Sequence, residues 1–393
     1  KDNGSFNLEF GTQNTSGVSE LNAVGVLKEL DEFFISDEME RFQDLNLFGL
    51  TAQFEDQRTG KIYTVDGARF RLRREDQTLF MGFDLALLSG GEGVATVEAN
   101  FKSNIGQMDG DFGFLLNDFS AQDIASLSPE FGWLSVLEAP ISGALRGSLD
   151  KEGKLNPVNT SLQIGAGLLK PSNDIKSIAF NSARTYFSYA PGSGEINFDE
   201  IFIDSKDLKA TADGLLMIED LEDVPETFVA QLNFTDLQTG GFGLLNNGVS
   251  SNSATTTFRV QLDPFDVEIP QFYIHDQNSA VNVHTDGFIS VKDNNWIVSL
   301  NSQSDAADLE NVFYFWPETH KPKVRKWVAE HFEKSSLVDI SMKTELENGL
   351  GPKLSWSFAF SDTSFAPLKG FPLIEQSSGH FVSEDYATSV ILE

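Results

Sequence analysis

Apolar and polar residues alternate along most of the chain, and this period of two is typical of β-strands that bury one face. The clearest run is LSWSFAF at 354–360, in which large apolar side chains alternate with Ser and Ala. Similar runs occupy 79–87, 141–149 and 256–262. On one face these runs carry Leu79, Met81, Phe83, Leu85, Leu145, Phe258, Val260, Leu354, Trp356, Phe358 and Phe360. The residues between them, such as Phe80, are expected to face outward.

Turn signals separate these runs. Glycine after Asp, Asn or Pro favours tight turns between strands. The pairs are Asp66-Gly67, Asp109-Gly110, Pro191-Gly192, Asp213-Gly214, Asp286-Gly287 and Asn348-Gly349. This spacing predicts many short, sequential, antiparallel strands, each with one apolar face and one solvent-exposed polar face.

Helical patterns are few. Apolar spacing and capping residues predict short helices at about 21–34, 120–138 and 319–334. The last has Pro322 in its first turn, which suits a helix start. One stripe of this helix contains Val324, Trp327, Val328 and Phe332. We expect Trp327 to pack the helix against the sheet.

So few helices leave a packing problem, because every apolar strand face must be covered. Two sheets could face each other as a sandwich. Alternatively, one long sheet could curl into a trough whose apolar face meets a non-protein partner. The pattern alone leaves both open. We predict a mostly β fold, with a long, curved antiparallel sheet that forms an extended apolar groove and a few short helices between repeats.

An internal repeat supports an extended architecture. Residues 129–168 and the segment from Pro322 onward both run from a Pro through a helix with a Trp, a strand, a Gly-containing turn and another strand. Repeated units of this kind stack into elongated proteins. We divide the chain into 1–120 (N-terminal helix and first β-repeat), 121–315 (second helix-plus-strands repeat) and 316–393 (third repeat, truncated).

The composition narrows the range of partners. The chain has 59 acidic and 28 basic residues and a net charge of −31. Nucleic acid is therefore excluded as a partner, as is electrostatic docking on anionic membranes, because both need a basic surface. There are 34 Phe but only 6 Tyr and 5 Trp. A sugar-binding cleft would favour Trp and Tyr, whereas Phe supplies purely apolar surface.

Motifs for catalysis are missing. The chain has no Cys, and its five His show no metal-binding spacing. No P-loop, dinucleotide fingerprint or hydrolase elbow is present. We therefore predict a protein that is not an enzyme, with no catalytic residues, metal or cofactor. No apolar run approaches the roughly 20 residues that span a bilayer. Without a signal-peptide core after Lys1, we expect a mature form or a fragment.

A family resemblance adds to this interpretation. FYFWP at 313–317, followed by KPKVRKWVA at 321–329, resembles the Trp-Pro helix signature of the AsmA-like superfamily, in particular its YhdP-type members related to TamB. FPLIE at 371–375 with SGH at 378–380 is similar to a second element of that family, and the hairpins of 54–87 are similar to its repeats.

The resemblance implies a hydrophobic β-groove in a bacterial envelope protein. Such a protein would span the periplasm, be anchored in the inner membrane by a segment that this sequence lacks, and carry phospholipid toward the outer membrane. The implied partners are phospholipid or another acyl-chain lipid and an outer-membrane or periplasmic protein.

Three functions compete at this point. A lipid conduit uses an apolar groove without any reaction chemistry. A structural or adhesive β-repeat protein of the envelope would pack its apolar faces on each other and bind no lipid. A carbohydrate-active β-solenoid fits poorly, because Tyr and Trp are scarce. We favour non-enzymatic phospholipid transport between the inner and outer membranes, in support of outer-membrane biogenesis.

Overall fold

A computed structural model describes residues 34–36, 39–56, 61–88, 93–127, 134–172, 175–219, 227–241, 247–333, 336–347, 353–366, 370–384 and 387–393. Strands make up 69% of the structure, and the helices within these described residues are three in number and short. The prediction of a mostly β fold built on one long antiparallel sheet is confirmed.

The helices are α1 (Ala121–Leu127), α2 (Leu309–Phe315) and α3 (Pro322–His331). The strands are β1 (Asp44–Asp56), β2 (Lys61–Glu75), β3 (Thr78–Leu88), β4 (Val94–Asn104), β5 (Gly110–Ser120), β6 (Leu137–Glu138), β7 (Pro140–Leu149), β8 (Val158–Ile164), β9 (Gly167–Leu169), β10 (Ile178–Phe180), β11 (Ser182–Ala190), β12 (Glu195–Asp204), β13 (Leu208–Ile218), β14 (Thr227–Thr239), β15 (Ser250–Ser251), β16 (Ala254–Leu262), β17 (Phe265–Asp276), β18 (Val281–Lys292), β19 (Asn295–Asp308), β20 (Phe332–Glu333), β21 (Ser336–Leu346), β22 (Lys353–Phe365), β23 (Ile374–Ser383) and β24 (Thr388–Leu392).

One sheet holds almost all of these strands. It has 21 strands, while β6, β9 and β10 form a separate three-stranded sheet. Consecutive long strands pair antiparallel throughout the large sheet. Within the described residues, β1 pairs only with β2 and β24 only with β23, so the sheet has two open edges. No second large sheet faces it in this part of the chain, which removes the sandwich alternative.

The turns explain why neighbouring strands reverse so tightly. Between β18 and β19, Lys292 pairs with Asn295, and only Asp293 and Asn294 lie between them. Their φ angles are 48° and 59°. Positive φ at both central residues matches the right-handed twist of the strands, and Asn and Asp tolerate that conformation best after Gly. Two-residue hairpins of this kind fix the register of the sheet.

Some predicted turns are wrong. Gly67, Gly214 and Gly287 lie inside β2, β13 and β18. A Cβ atom at Gly214 would lie 2.1 Å from the carbonyl oxygen of Gln231, and one at Gly287 would lie 2.0 Å from that of Ser299. Asp213-Gly214 and Asp286-Gly287 therefore mark places where two strand backbones approach closely, whereas Gly67 has open space around it and a positive φ of 64°. All three lie next to shifts in register that bend the strands.

The register defines one face that runs across the whole sheet. Directly paired residues of antiparallel strands share a face. One row of such pairs reads Leu47, Phe70, Phe83, Ala99, Phe114, Leu145, Thr160, Phe187, Phe198, Gly214, Leu232, Thr256, Phe272, Thr285, Ser302, Met342, Trp356, Ser383 and Thr388. We call the face that carries this row the apolar face and the opposite one the polar face.

The sheet coils toward its apolar face. Trp296, at the start of β19 on the apolar face, donates a hydrogen bond of 2.9 Å from Nε1 to the carbonyl oxygen of Lys176, in the β9–β10 hairpin. In a flat sheet, β11 and β19 would be seven strand spacings apart, roughly 34 Å at about 4.8 Å each. The six residues from Lys176 to Ser182 span at most about 20 Å. The contact is therefore possible only in a curved sheet.

The helices differ in part from the prediction. The predicted helix at 319–334 is α3, and α1 lies within the predicted 120–138 segment. The rest of that segment includes 128–133, outside the described residues, and the strand β6. Nearly all of the predicted helix at 21–34 also lies outside them. Helix α2 was not predicted, because its aromatic sequence FYF matches a strand as well as a helix.

The proposed repeat boundaries do not interrupt the sheet. Strand β5 pairs with β7 across the boundary at residue 120, and β19 pairs with β21 across the one at residue 315. The division into three repeats remains a prediction about sequence. None of the described helices is long and apolar enough to cross a membrane.

Candidate functional site

The structure places the eleven predicted groove residues on the apolar face. Phe83, Leu145 and Trp356 belong to the continuous row, and the other eight lie an even number of positions from a row member on β3, β16 or β22. Their contact with lipid remains a prediction, since no ligand is present. The arrangement does bring all eleven to one surface.

Burial divides these eleven residues into two groups. Met81, Phe83, Leu85, Leu145, Phe258 and Val260 are half-buried. Leu79, Leu354, Trp356, Phe358 and Phe360 are buried, none of them more than 5% exposed. The half-buried group lies on β3, β7 and β16, where large apolar side chains keep accessible surface. A ligand could reach this group without any protein movement.

Charged side chains are almost absent from the apolar face. Apart from the facing pair Asp56 and Lys61 where β1 meets β2, only Arg74 and Asp276 carry charge at its paired positions in the described strands. Arg74 donates from Nη1 to the carbonyl oxygens of Phe34 and Met39, at 3.1 and 2.8 Å. Asp276 is fully buried and accepts from the Ser250 N–H at 2.9 Å and from both the N–H and hydroxyl of Ser279. Both of these charges are used in local structure, so the face presents mainly hydrocarbon, with Thr and Ser hydroxyls between the large apolar side chains.

Short segments cover parts of this face. Helix α1 and the residues after it place Ile124 and Leu134 against Phe119 and Ile141 of β5 and β7. Near the start of the described chain, Phe34 packs with Leu72 and Leu79. These two clusters cover opposite ends of the strands around β3 to β8. The middle of those strands, where Phe83 and Leu145 lie, is left between them.

The largest cluster lies under α2 and α3. Val328 and Phe332 of the predicted helix stripe are buried there, and Val324 and Trp327 pack against them while remaining partly exposed. The fully buried tryptophan is instead Trp316, directly after α2, whose ring stacks on Trp356 at 5.8 Å. Sequence reasoning assigned the anchoring role to Trp327, because it ranked the stripe of α3 above the segment before it.

The polar face explains the outward position of Phe80. Its ring lies 5.3 Å from the guanidinium carbon of Arg73 and 5.7 Å from Nζ of Lys102. Cations over an aromatic ring stabilise it at an exposed site. Asp84, also predicted to face outward, forms an ion pair with Arg71, with 2.7 Å between its Oδ2 and the Nη2 of Arg71.

A cavity of about 1510 Å³ lies beside Phe80 on the polar face. It is bordered by five acidic and five basic side chains. The acidic ones are Glu40, Asp44, Glu75, Asp76 and Asp111, and the basic ones are Arg41, Arg71, Arg73, Arg74 and Lys102. This even balance gives an ionic ligand no net attraction.

Among the described residues, no group of three or more His, Asp or Glu side chains is placed to hold a metal ion. Comparison with known proteins gives no family: no family model, no curated protein and no solved structure matches this chain. The apolar face is therefore the feature from which a function has to be inferred.

Proposed function

We propose that this protein holds acyl-chain lipid, in particular phospholipid, along the apolar face of its sheet and carries it between the inner and outer membranes of a bacterial envelope. The resemblance of residues 313–329 to the Trp-Pro element of the AsmA-like superfamily supports the periplasmic location. An inner-membrane anchor and an outer-membrane or periplasmic partner are part of the same proposal.

The observation that carries the proposal is the unpartnered apolar face. The described strands bring large apolar side chains to one surface, and the central members, such as Phe83 and Phe258, stay half-buried. Apolar surface that continues across several neighbouring strands is rare on a protein that functions without a partner. Because the sheet coils toward this face, the surface is concave, as an elongated ligand requires.

The energetics favour lipid over water on this surface. A diacyl lipid contains about 30 methylene groups, and exposing each to water costs about 0.8 kcal/mol, so full exposure costs roughly 20 kcal/mol or more. A concave hydrocarbon surface removes most of this cost for a lipid in transit. No reaction chemistry is needed, so the proposed protein is not an enzyme.

The alternative is a structural or adhesive protein without a lipid ligand. That function would require the apolar side chains to pack on protein. Some do so under α2 and α3, but within the described residues no second large sheet covers those on β3, β7 and β16. The uncovered group favours a lipid-holding function.

The test compares one substitution on the two faces of the same strand. Phe83→Glu places a charge on the apolar face, and its control, Phe80→Glu, places the same charge one residue away on the polar face. We expect mass spectrometry to detect acyl lipid in the purified parent chain and in the Phe80 variant, with a loss of most of it in the Phe83 variant. Circular dichroism checks that both variants fold. Equal lipid content in the two variants, or none in the parent, would overturn the proposal.

A further inference from the structure

The apolar face changes character at its C-terminal end. Phe83 on β3 and Phe258 on β16 are half-buried, whereas on β22 Leu354, Phe358 and Phe360 are at most 2% exposed. All of them occupy equivalent positions on one face. For Phe358 and Phe360 the difference arises from α2 and α3, which pack on β21 to β23. We call the segment 309–331 the lid.

The underside of the lid is hydrocarbon. Val312, Trp316 and Val328 are buried in it and pack on the β21–β23 part of the face. The ring of Trp316 stacks on Trp356 and lies 6.1 Å from Phe381. These side chains occupy the space in which acyl chains would lie if the groove continued to this end. An acyl chain could replace them with contacts of the same kind.

The two lid helices are tied to each other by one side chain. Arg325 of α3 donates to the carbonyl oxygen of Trp316 at 3.1 Å and to that of Phe313 at 3.3 Å. Its guanidinium also lies over the Phe313 ring, 5.0 Å from the centroid. These bonds satisfy carbonyls at the end of α2, which a helix leaves without partners. The helices can therefore move as one unit.

Polar contacts between the lid and its surroundings lie at its margins. Lys321 donates from Nζ to the hydroxyl of Ser383 at 3.2 Å and to the carbonyl oxygen of Glu384. Asn247 donates to the carbonyl oxygen of Tyr314 at 2.7 Å. Between these margins the contact with the sheet is aromatic and aliphatic.

One polar atom under the lid is unsatisfied. Nε1 of Trp356 is buried and has no hydrogen-bond partner, although its ring is stacked. A buried donor without an acceptor destabilises the state in which it is buried. Trp316 of the lid stacks on this ring, so we expect displacement of the lid to open the indole N–H to water or to an ester or phosphate oxygen.

From these contacts we infer that the α2–α3 pair is a lid that closes the C-terminal end of the groove and is displaced when an acyl chain enters. The inference rests on the proposed lipid function and adds a regulated exit to it. The stacked pair of Trp316 and Trp356 is the latch, and the unpaired N–H of Trp356 keeps the closed state from being too stable to open.

The latch is tested by hydrogen exchange of residues 309–331 in the full chain without lipid. Trp356→Phe keeps an aromatic ring but removes the unpaired N–H, so it should slow exchange of the lid amides by about fivefold or more, the low end of the cost of an unsatisfied buried donor. Trp296→Phe is the matched control, because the indole N–H that it removes is paired with Lys176. It should leave the lid unchanged.

Trp316→Ala provides the opposite change, since it removes half of the latch and should speed lid exchange. Unchanged or faster exchange in the Trp356 variant would overturn the lid inference even if the Trp316 variant failed to fold.

Adding lipid distinguishes a failure of the lid inference from a failure of the proposed function. Vesicles of phosphatidylethanolamine and phosphatidylglycerol, added to the parent chain, should speed exchange of 309–331 while a photocrosslinker at Phe83 captures lipid. Capture at Phe83 without any change in the lid would refute the lid and leave the lipid function standing. No capture at Phe83 and no lipid in the purified chain would refute the function itself.

Discussion

Trp316 and Trp327 allow a sharp test of how the C-terminal helices are held on the sheet. Trp316 is 0% exposed and stacks on Trp356, whereas Trp327 is only partly buried at the edge of the same cluster. Substituting each by Ala removes the same side chain from two different environments. The structure therefore predicts two different losses in the free energy of unfolding.

The magnitudes follow from burial and hydrogen bonding. Truncating a fully buried Trp to Ala costs about 3–5 kcal/mol. Trp316 also donates from Nε1 to the carbonyl oxygen of His320 at 2.9 Å, a hydrogen bond that adds about 1 kcal/mol. We expect Trp316→Ala to cost about 4–6 kcal/mol. Trp327→Ala loses only part of the same transfer energy, so we expect roughly 2 kcal/mol.

Urea unfolding followed by circular dichroism measures both losses, provided that the slope with urea is the same for both variants and the parent. Trp316→Phe serves as a control, because it keeps an aromatic ring while losing the indole N–H, and it should fall between the parent and the Ala variant. A loss for Trp327→Ala equal to or larger than that for Trp316→Ala would refute the packing argument. So would a loss below about 1 kcal/mol for Trp316→Ala.

Three further outcomes are expected. A photocrosslinker attached to a single introduced thiol should capture lipid at Phe83 and not at Asp84, and equal capture at both would contradict the assignment of the faces. Gly287→Ala should lower the melting temperature by several degrees, because its Cβ would meet backbone, whereas Gly192→Ala, with open space around it, should change little. Burial, followed by the nearby charge of Glu268, raises the pKa of Asp266 above its ordinary 3.8 in the folded chain. The folded state therefore favours protonated Asp266, so Asp266→Asn should stabilise the protein at neutral pH, and this gain should vanish below about pH 3.8; a gain that persists in acid would contradict the cause.

The alternation of side chains carried most of the predictable information. It assigned Phe83, Phe258 and Trp356 to one face, because a strand has a period of two and the hairpins keep the register. It could not distinguish the half-buried Phe83 from the buried Phe358. That difference depends on α2, a helix whose aromatic residues give no helical signal.

The glycine-containing pairs were informative in a different way. Pro191-Gly192 does lie in a turn, but Gly214 and Gly287 lie within strands. Glycine suits both places, because it supplies positive φ and room for a neighbouring backbone. Whether a glycine lies in a turn or inside a strand depends on the neighbouring strand, and the local sequence carries no information about that strand. Curvature of the sheet was predicted from the need to cover apolar surface, whereas the contact of Trp296 with Lys176 involves residues 120 positions apart.

The order of the strands has a consequence for how such a chain is made. Because consecutive long strands pair with each other along the sheet, most pairings join strands that follow one another in the chain. The loop between two such strands is short, so each pairing costs little loop-closure entropy. Each hairpin can therefore dock on the previous one as the polypeptide emerges from the ribosome or a translocation channel. The same order lets evolution lengthen the sheet by inserting a hairpin, since an added pair of strands leaves every other register unchanged.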